Sequence, residues 1–326
     1  MIIGNMKRNI YSYSKLWMIL FVLMGAACTN QVEDAIPVSG QPIGFSVQSD
    51  WKEIPNTRLL IDDNGTMKFT QGDKVQIFGF HKSSQGAVEN VQFMYDVDNH
   101  VDNRTLGQKV EFDGTNWNYT PKRFWPKEGL LDFYASYPCD SYNSSIHYDV
   151  EKKMMTYENN LTQDLLYGLA TDWNRDKNPT VSIWMVHALA KVNIIFDKSS
   201  LGDIGQVTIK GYKAGHFSPM SNDHGVPVWE IDDDNTHIKA DFGYNEIHKN
   251  NSVTVTVFIL PEKITGLWMF DTHGDKIYDP YASNEIQKYT FKAGKEYNLT
   301  ISKSNGVRKK NTNSRSIAMS VRCVSE

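Results

Sequence analysis

Short runs in which apolar and polar residues alternate follow one another through most of the chain from residue 43 onward. The clearest is SVTVTVFIL at 252–260, where valine and threonine alternate. Alternation with a period of two is typical of a β-strand with one buried face. The Gly, Asn, Asp and Pro residues between the runs are typical of turns. The pattern therefore predicts an all-β protein.

The predicted strands are short, and none carries the 3.6-residue stripe of a long amphipathic helix. Each must bury one face and cannot do so alone, so we expect stacked antiparallel sheets. In chain order the predicted strands are Ile43–Val47, Lys74–Phe80, Val91–Tyr95, Lys109–Phe112, Trp117–Tyr119, Leu131–Tyr137, Met154–Tyr157, Val181–Val186, Val192–Phe196, Gln206–Tyr212, His237–Phe242, Val253–Leu260, Leu267–Phe270, Gln287–Phe291 and Glu296–Ile301.

The most polar interruption in mid-chain is TDWNRDKNPT at 171–180. A polar segment that contains proline is typical of a boundary between domains. We therefore predict two domains, 43–178 and 179–304, with a tail at 305–326. Each domain would have roughly 130 residues, a normal size for a β-sandwich.

The first 27 residues have the features of a signal peptide. Lys7, Arg8 and Lys15 flank the apolar run Leu16–Met24, which is followed by small residues. This run is much shorter than the ~20 residues that a membrane-spanning helix needs. We therefore expect an exported protein whose residues 1–27 are removed.

A cysteine stands directly after the small residues Gly25, Ala26 and Ala27. The arrangement resembles the lipobox of bacterial lipoproteins, in which the signal peptidase recognises the small residues and the cysteine is acylated. The resemblance implies a covalent lipid on Cys28, and long acyl chains contribute about 0.8 kcal/mol per buried CH₂ to membrane binding. The alternative is an ordinary secretory signal in which Cys28 is incidental.

Residues 28–42 are polar, contain two prolines and lack periodicity, as expected of a tether. Glu33 and Asp34 resemble the acidic export tag that some Gram-negative lipoproteins use to reach the outer face of the outer membrane. We therefore expect a lipid-anchored protein at the cell surface.

Charge and composition narrow the choice of partners. The 326 residues carry a net charge of −4, and 12% of them are aromatic. The segment that would be removed contains three basic residues and no acidic one, so the exported protein would be more negative still. A polyanionic partner such as nucleic acid is therefore disfavoured.

Motifs that carry catalytic chemistry are missing from the sequence. It contains no G-x-S-x-G, P-loop, G-x-G-x-x-G or H-E-x-x-H. The segments 96–107 and 172–183 begin like calcium loops but lack the glycine and glutamate that such loops need. His216 and His224 share a polar loop with Asp223 without the further ligand of a zinc site. We expect neither an enzyme nor a metal protein, and no cofactor besides the lipid.

Two sets of residues leave alternatives open. Cys139 and Cys323 could pair in an exported protein, or Cys139 could be a buried thiol. Exposed tryptophans could form a sugar-stacking platform, which makes a glycan-binding surface lipoprotein the alternative function, or they could belong to the core. The candidates for the platform are Trp117, Trp125, Trp229 and Trp268.

Five stretches in a fixed order resemble one known family. They are FTQGDKVQIFGF (69–80), RFWPKEGLLDFYASYP (123–138), DLLYG (164–168), VHALAKVNIIF (186–196) and KAGKEYNLTIS (292–302). Together they are similar to the fimbrillin-like proteins of Gram-negative anaerobes, over about 260 residues. The resemblance implies two tandem transthyretin-like Greek-key β-sandwiches and a structural role in surface fimbriae, with other fimbrial subunits as partners and a host or bacterial surface ligand as a further one.

The resemblance also implies assembly by strand exchange. In this family an arginine-preferring protease removes the first strand, and the C-terminal strand of a neighbouring subunit fills the groove. Here Ile43–Val47 would be the removed strand and Arg58, in IPNTRLL, the cleavage point; the alternative is that Arg58 is an ordinary loop residue.

The tail SIAMSVRCVSE is the candidate donor strand, because Ile317, Met319 and Val321 would share one face of an extended strand. The closing SVRCV also resembles the end of another surface-lipoprotein domain, and the tail could instead be disordered or a remnant of that domain. Stalk, tip and anchor subunits are all compatible with the sequence.

Overall fold

Strands make up nearly all the regular structure, which confirms the predicted all-β class. The computed structural model describes residues 38–49, 60–61, 67–82, 91–98, 101–139, 146–176, 178–220, 222–223, 225–232, 236–249, 252–278, 286–303 and 319–324. The described residues from 39 onward belong to one compact unit.

Sixteen strands lie in the described residues before 188. They are β1 (Val38–Pro42), β2 (Gly44–Ser49), β3 (Leu60–Ile61), β4 (Met67–Lys68), β5 (Lys74–Lys82), β6 (Val91–Met94), β7 (Asp96–Asp98), β8 (Val101–Asn103), β9 (Gln108–Phe112), β10 (Trp117–Asn118), β11 (Phe124–Pro126), β12 (Leu130–Tyr137), β13 (His147–Asp149), β14 (Met154–Glu158), β15 (Leu166–Trp173) and β16 (Thr180–His187).

The rest of the described chain adds thirteen strands, two single-turn helices and a 3₁₀ turn at Ile286–Lys288. The strands are β17 (Ala190–Phe196), β18 (Ile204–Tyr212), β19 (Ala214–Phe217), β20 (Asn222–Asp223), β21 (Val226–Pro227), β22 (Glu230–Ile231), β23 (His237–Gly243), β24 (His248–Lys249), β25 (Ser252–Ile259), β26 (Gly266–Asp271), β27 (Lys276–Tyr278), β28 (Glu296–Lys303) and β29 (Met319–Val324), and the helices are α1 (Lys198–Leu201) and α2 (Tyr244–Ile247).

The largest sheet has the order β10-β9-β5-β12-β15-β16-β2, with β6 also paired to β5. Its neighbours are antiparallel except for β2, which runs parallel to β16. The end strands β10 and β2 contact each other, so the sheet curls around one core. That core contains aromatic side chains from both ends of the sheet, including Phe45, Trp117, Trp125 and Phe133.

The second half has two sheets with one core between them. The order is β24-β25-β17-β28-β29 in one sheet and β23-β18-β26-β27 in the other. Alternate residues of the facing strands meet in a sandwich-like arrangement, for example Val192, Val255 and Leu299 from the first sheet with Val207 and Leu267 from the second.

A third core joins the two halves of the chain. The sheet β13-β14-β19-β22 takes two strands from each half. This core also contains Phe78 and Tyr134, on the outer face of the large sheet, and Leu189 and Phe258, from the second half. Strands β5 and β12 are therefore covered on both faces, which is why their sequences are nearly continuous apolar runs.

The sheets change at 188–189 rather than at the predicted junction, 178/179. Strand β16 pairs with β15 and β2 in the large sheet, and β17 is the first strand of the second half. The polar segment 171–180 thus connects two neighbouring strands of one sheet. The division into two domains stays a prediction.

One predicted strand is wrong. Gln287–Phe291 contains a 3₁₀ turn at 286–288, and Phe291 makes only an isolated bridge to Glu262. Several strands were missed, most of them only two to four residues long. The longest of them is β15, which lies between β12 and β16 with residues buried on both of its faces, so LYGLATDW shows no clear alternation.

A buried carboxylate is neutralised at the end of the central strands. Asp132 is fully buried; its carboxylate lies 2.7 Å from Nζ of Lys82 and accepts the N–H of Asp172 at 2.9 Å. Lys82 also contacts the Asp172 carboxylate at 2.9 Å. Burial alone would lower the pKa of Lys82, but its hydrogen bonds and attraction to both carboxylates outweigh this and raise the pKa.

We expect Asp132→Ala to lower the free energy of unfolding by about 2–3 kcal/mol, because it removes the partner of Lys82 and leaves the Asp172 N–H unpaired. Urea denaturation of the full-length protein measures the loss. The control is Glu111→Ala at the exposed Lys74–Glu111 pair, 3.5 Å apart, where less than about 1 kcal/mol is expected. Equal losses in the two variants would contradict the buried role of Asp132.

Candidate functional site

Strand β2 closes one end of the large sheet and fills a groove there. Residues 44–49 pair in parallel with 180–185 of β16. Ile43, Phe45 and Val47 are each at most 6% exposed, whereas Gln48 is exposed to solvent. The predicted alternation of this first strand is therefore confirmed: odd-numbered residues enter the core.

The side chain of Phe45 fills the centre of the groove. Its ring packs edge-on against Tyr119, with ring centroids 5.6 Å apart, and against Phe133 at 5.3 Å. Tyr119 follows β10 and Phe133 lies on β12, so the ring contacts two separate parts of the large sheet. Sequence reasoning did not single out Tyr119 or Phe133, although Tyr119 alternates with Trp117.

Ile43, directly before β2, is held by two hydrogen bonds to its backbone. The hydroxyl of Tyr119 donates to the carbonyl of Ile43 at 2.7 Å, and the N–H of Ile43 donates to the carbonyl of Arg123 at 2.9 Å. Burial raises the pKa of Tyr119 to about 12, against the opposing effect of Arg123. Tyr119 therefore stays protonated and can donate at neutral pH.

The burial of β2 is large on the scale of protein stability. Three apolar side chains at roughly 1.5–3 kcal/mol each contribute on the order of 5–9 kcal/mol as an upper estimate. Whole domains are stable by about 5–15 kcal/mol. A chain without β2 would therefore need another strand in the groove.

Most predicted processing residues lie outside the described residues. This holds for the lipidation cysteine Cys28, the signal peptidase residues Gly25, Ala26 and Ala27, the candidate cleavage residue Arg58 and the tail residue Ile317. In sequence, Arg58 falls between the end of β2 and the start of β3. Its cleavage stays a prediction.

The tail residues Met319 and Val321 lie in β29, at the edge of a sheet of the second half. Here β29 pairs antiparallel with β28, with Val321 opposite Ile301 and Cys323 opposite Leu299. The candidate donor strand thus occupies an edge of its own chain. Cys139 is buried, and its pairing with Cys323 stays a prediction.

The four candidate tryptophans do not form an exposed row. Trp117 and Trp125 are buried in the core of the large sheet and therefore cannot stack against a sugar. Trp268 is half-buried with Nζ of Lys239 5.3 Å from its ring centre. Of the four, only Trp229 lines the cleft between segments 226–231 and 290–295. The tryptophan that is exposed on the large sheet is Trp184.

His216 is held by two carboxylates rather than by a metal-binding set. Its Nδ1 lies 2.6 Å from Asp232 and its Nε2 3.3 Å from Glu230, while His224 is outside the described residues. Where side chains are described, no group of three or more His, Cys, Asp or Glu could hold a metal ion. None of the described helices is long and apolar enough to cross a membrane.

The fold and the groove define a class of protein: an all-β chain of stacked sheets in which strand β2, near the start of the described chain, closes one edge. Residues 57–318 match the model of the fimbrillin-like family, and the chain belongs to this family. Its role is thus structural, in fimbriae at the cell surface and together with other fimbrial subunits.

The chain is similar to solved structures from Bacteroides and Porphyromonas species. A protein assigned to cell adhesion from Bacteroides uniformis has 14% identity and a TM-score of 0.48, covering 87% of this chain and 99% of its own. A fimbrial protein from Bacteroides vulgatus has 16% identity and a TM-score of 0.46, covering 87% and 98%. The fimbrial anchor protein Mfa2 from Porphyromonas gingivalis has 11% identity and a TM-score of 0.34, covering 81% and 92%. Among curated proteins no relative matches.

We expect Phe45→Ala to lower the free energy of unfolding by about 3–5 kcal/mol, because the ring leaves a cavity between Tyr119 and Phe133. Urea denaturation of the full-length chain measures the loss. Gln48→Ala, on the exposed face of the same strand, is the control and should change it by less than about 0.5 kcal/mol. If the two variants were equally stable, β2 would not be part of the core.

Tyr119→Phe should lower the free energy of unfolding by about 1 kcal/mol at pH 7, because the hydrogen bond to Ile43 is lost. Burial raises the pKa of Tyr119 from 10.0 to about 12 in the folded state. The protonated side chain therefore stabilises the folded protein fully below pH 10, and this contribution is lost as the pH rises to about 12. The variant should therefore lose less stability than the wild type across that window, as measured by urea denaturation at each pH. Tyr244→Phe, at an exposed position, is the control; parallel curves for Tyr119→Phe and the wild type would contradict the prediction.

Proposed function

We propose that this chain is a subunit of surface fimbriae that is exported as a lipoprotein and assembles by strand exchange. Cleavage after Arg58 would remove β2, and the tail of a neighbouring subunit would take its place. The observation that carries the proposal is a likeness between the first strand and the tail.

Residues 43–49 read IGFSVQS, and residues 317–323 read IAMSVRC. The two heptapeptides share isoleucine, serine and valine at the same positions. At the four positions that enter the core from β2, the first strand has Ile, Phe, Val and Ser, and the tail has Ile, Met, Val and Cys. Alternate side chains that fill successive pockets are what fixes register when a strand is added to a sheet.

The substitutions between the two heptapeptides suit the groove. Methionine is unbranched and fills irregular apolar gaps, so it can replace Phe45 between aromatic rings. The hydroxyl of Ser49 is buried and has no hydrogen-bond partner among the described residues. A cysteine there buries a less polar group and avoids most of that penalty.

Pairing of β29 with β28 keeps the tail on its own chain before exchange. Its release would expose an unpaired strand, and exposed strand edges readily pair with another chain. Residues 304–318 connect β28 to β29, and fifteen extended residues span at most roughly 50 Å. That reach is sufficient for the tail to enter the groove of a neighbouring subunit.

The proposal also gives Cys28 two possible outcomes. In an uncut chain the lipid and β2 stay attached, as an anchor subunit at the outer membrane requires. In a cut chain they leave together, as a polymerising subunit requires. Cleavage at Arg58 is therefore the step that decides between the two roles.

Incubating the full-length protein, purified in detergent, with an arginine-specific protease tests the proposal. We expect a fragment that ends at Arg58 and oligomers that resist SDS, because the vacant groove binds the tail of a second copy. Arg58→Ala should stay uncut at this position and monomeric. Cut protein that remains monomeric would contradict strand exchange.

Two tail variants provide the matched control. Val321→Asp should abolish the oligomers after cleavage, because Val321 matches the core position Val47 and a carboxylate there would be buried without a partner. Arg322→Asp matches the exposed position Gln48 and should still assemble. Assembly of both variants, read on SDS gels, would mean that the tail is not the donor.

A further inference from the structure

A cleft in the second half of the chain has the properties of a ligand site. It lies between the segments 226–231 and 290–295, with a volume of about 710 Å³, within the usual range of ~300–1,000 Å³ for ligand pockets. Trp229, Tyr212 and Phe291 provide aromatic walls, and Lys292, Lys295 and Glu262 provide charged groups.

Trp229 is fixed in place by its packing. Its indole N–H donates to the carbonyl of Ala188 at 2.7 Å, and its ring packs edge-on against Phe217 with centroids 4.8 Å apart. A Cβ at Gly215 would come within 3.3 Å of Cε3 of the indole, so the glycine allows this close approach. The ring is half-buried, and a surface held before binding needs little ordering by a ligand.

The charged groups that line the cleft are accessible to solvent. Lys292, Lys295 and Glu262 are all exposed, and within the described part of the chain neither lysine is in an ion pair. The lining thus carries two ammonium groups and one carboxylate, and this excess of positive charge favours a ligand that carries a negative charge. The ammonium groups also form stronger hydrogen bonds to a carboxylate than to a neutral group.

We propose that this cleft binds a carbohydrate that carries a carboxylate group. The apolar face of a sugar ring would lie on Trp229, the carboxylate would contact Lys292 and Lys295, and a hydroxyl would donate to Glu262. A purely apolar ligand would remove water from these three charged groups without replacing its hydrogen bonds, which is unfavourable. A sugar supplies both an apolar face and polar groups.

The proposal adds an adhesive activity to the subunit and does not rest on strand exchange. The cleft is lined by residues after 211, whereas the groove of β2 is built from residues before 188. A subunit could therefore bind this ligand in the monomer and in an assembled fimbria.

Isothermal titration calorimetry of the full-length protein in detergent, with 3′-sialyllactose and lactose as probes, tests the proposal. We expect sialyllactose to bind about tenfold more tightly than lactose, the difference of one charge-assisted contact. Lys292→Glu or Lys295→Glu should weaken sialyllactose binding about tenfold. Lys127→Glu, an exposed lysine in the first half, makes the same change in net charge and should leave binding within about twofold.

Val228→Glu, at a position 48% exposed on the wall of the cleft, is a second variant that should weaken binding without affecting the fold, as circular dichroism would verify. Trigalacturonate is a second acidic probe. Equal binding of lactose and sialyllactose would overturn the acidic ligand class. Failure of both sialyllactose and trigalacturonate to bind, or full binding by Lys292→Glu and Lys295→Glu, would overturn the proposal.

Discussion

Burial of strand β12 on both faces is the constraint on which the other elements depend. Its inner residue Phe133 belongs to the core that β2 closes, and the next residue, Tyr134, belongs to the core that joins the two halves of the chain. In a strand, neighbouring side chains point to opposite faces. Each face therefore needs its own cover. The inner face receives Phe45, and the outer face receives the mixed sheet of β13, β14, β19 and β22.

The two covers differ in how easily they could be replaced. The outer cover consists of four strands and is continuous with the second half through Leu189 and Phe258. The inner cover at the β2 end is one strand at the edge of the sheet, paired on one side with β16. An edge strand has fewer neighbours to rearrange than a central one. Exchange at β2 is thus compatible with an otherwise unchanged fold, whereas exchange of any central strand of this sheet is not.

Sequence patterns predicted the strands of six or more residues apart from β15, including β5 and β12, which are buried on both faces, and missed most of the strands of two to four residues. SVTVTVFIL alternates because its threonines face outward, and it forms β25. LYGLATDW does not alternate, since β15 lies in the middle of the large sheet, and it was missed. The polar segment 171–180 suggested a domain junction because sequence alone does not show that Asp172 and Lys82 meet at the buried Asp132. Trp125 and Trp229 are likewise equivalent in sequence, and only their packing separates a core residue from a cleft residue.

The same constraint relates the groove to the cleft. Trp229 packs on Phe217, a member of the core that covers the outer face of β12, and Phe45 packs on Phe133 of its inner face. Phe217 in turn packs on Tyr167 of the large sheet, so the groove and the cleft rest on opposite faces of this sheet rather than on a shared cavity. Because packed interiors transmit strain, loss of β2 without replacement would disturb Phe133 first and then the support of Trp229 through the sheet. Refilling the groove with side chains of nearly the same size, as the tail carries, keeps both faces of β12 packed. Close mimicry of the first strand by the tail is thus a condition for a subunit that changes partners while its second half stays intact.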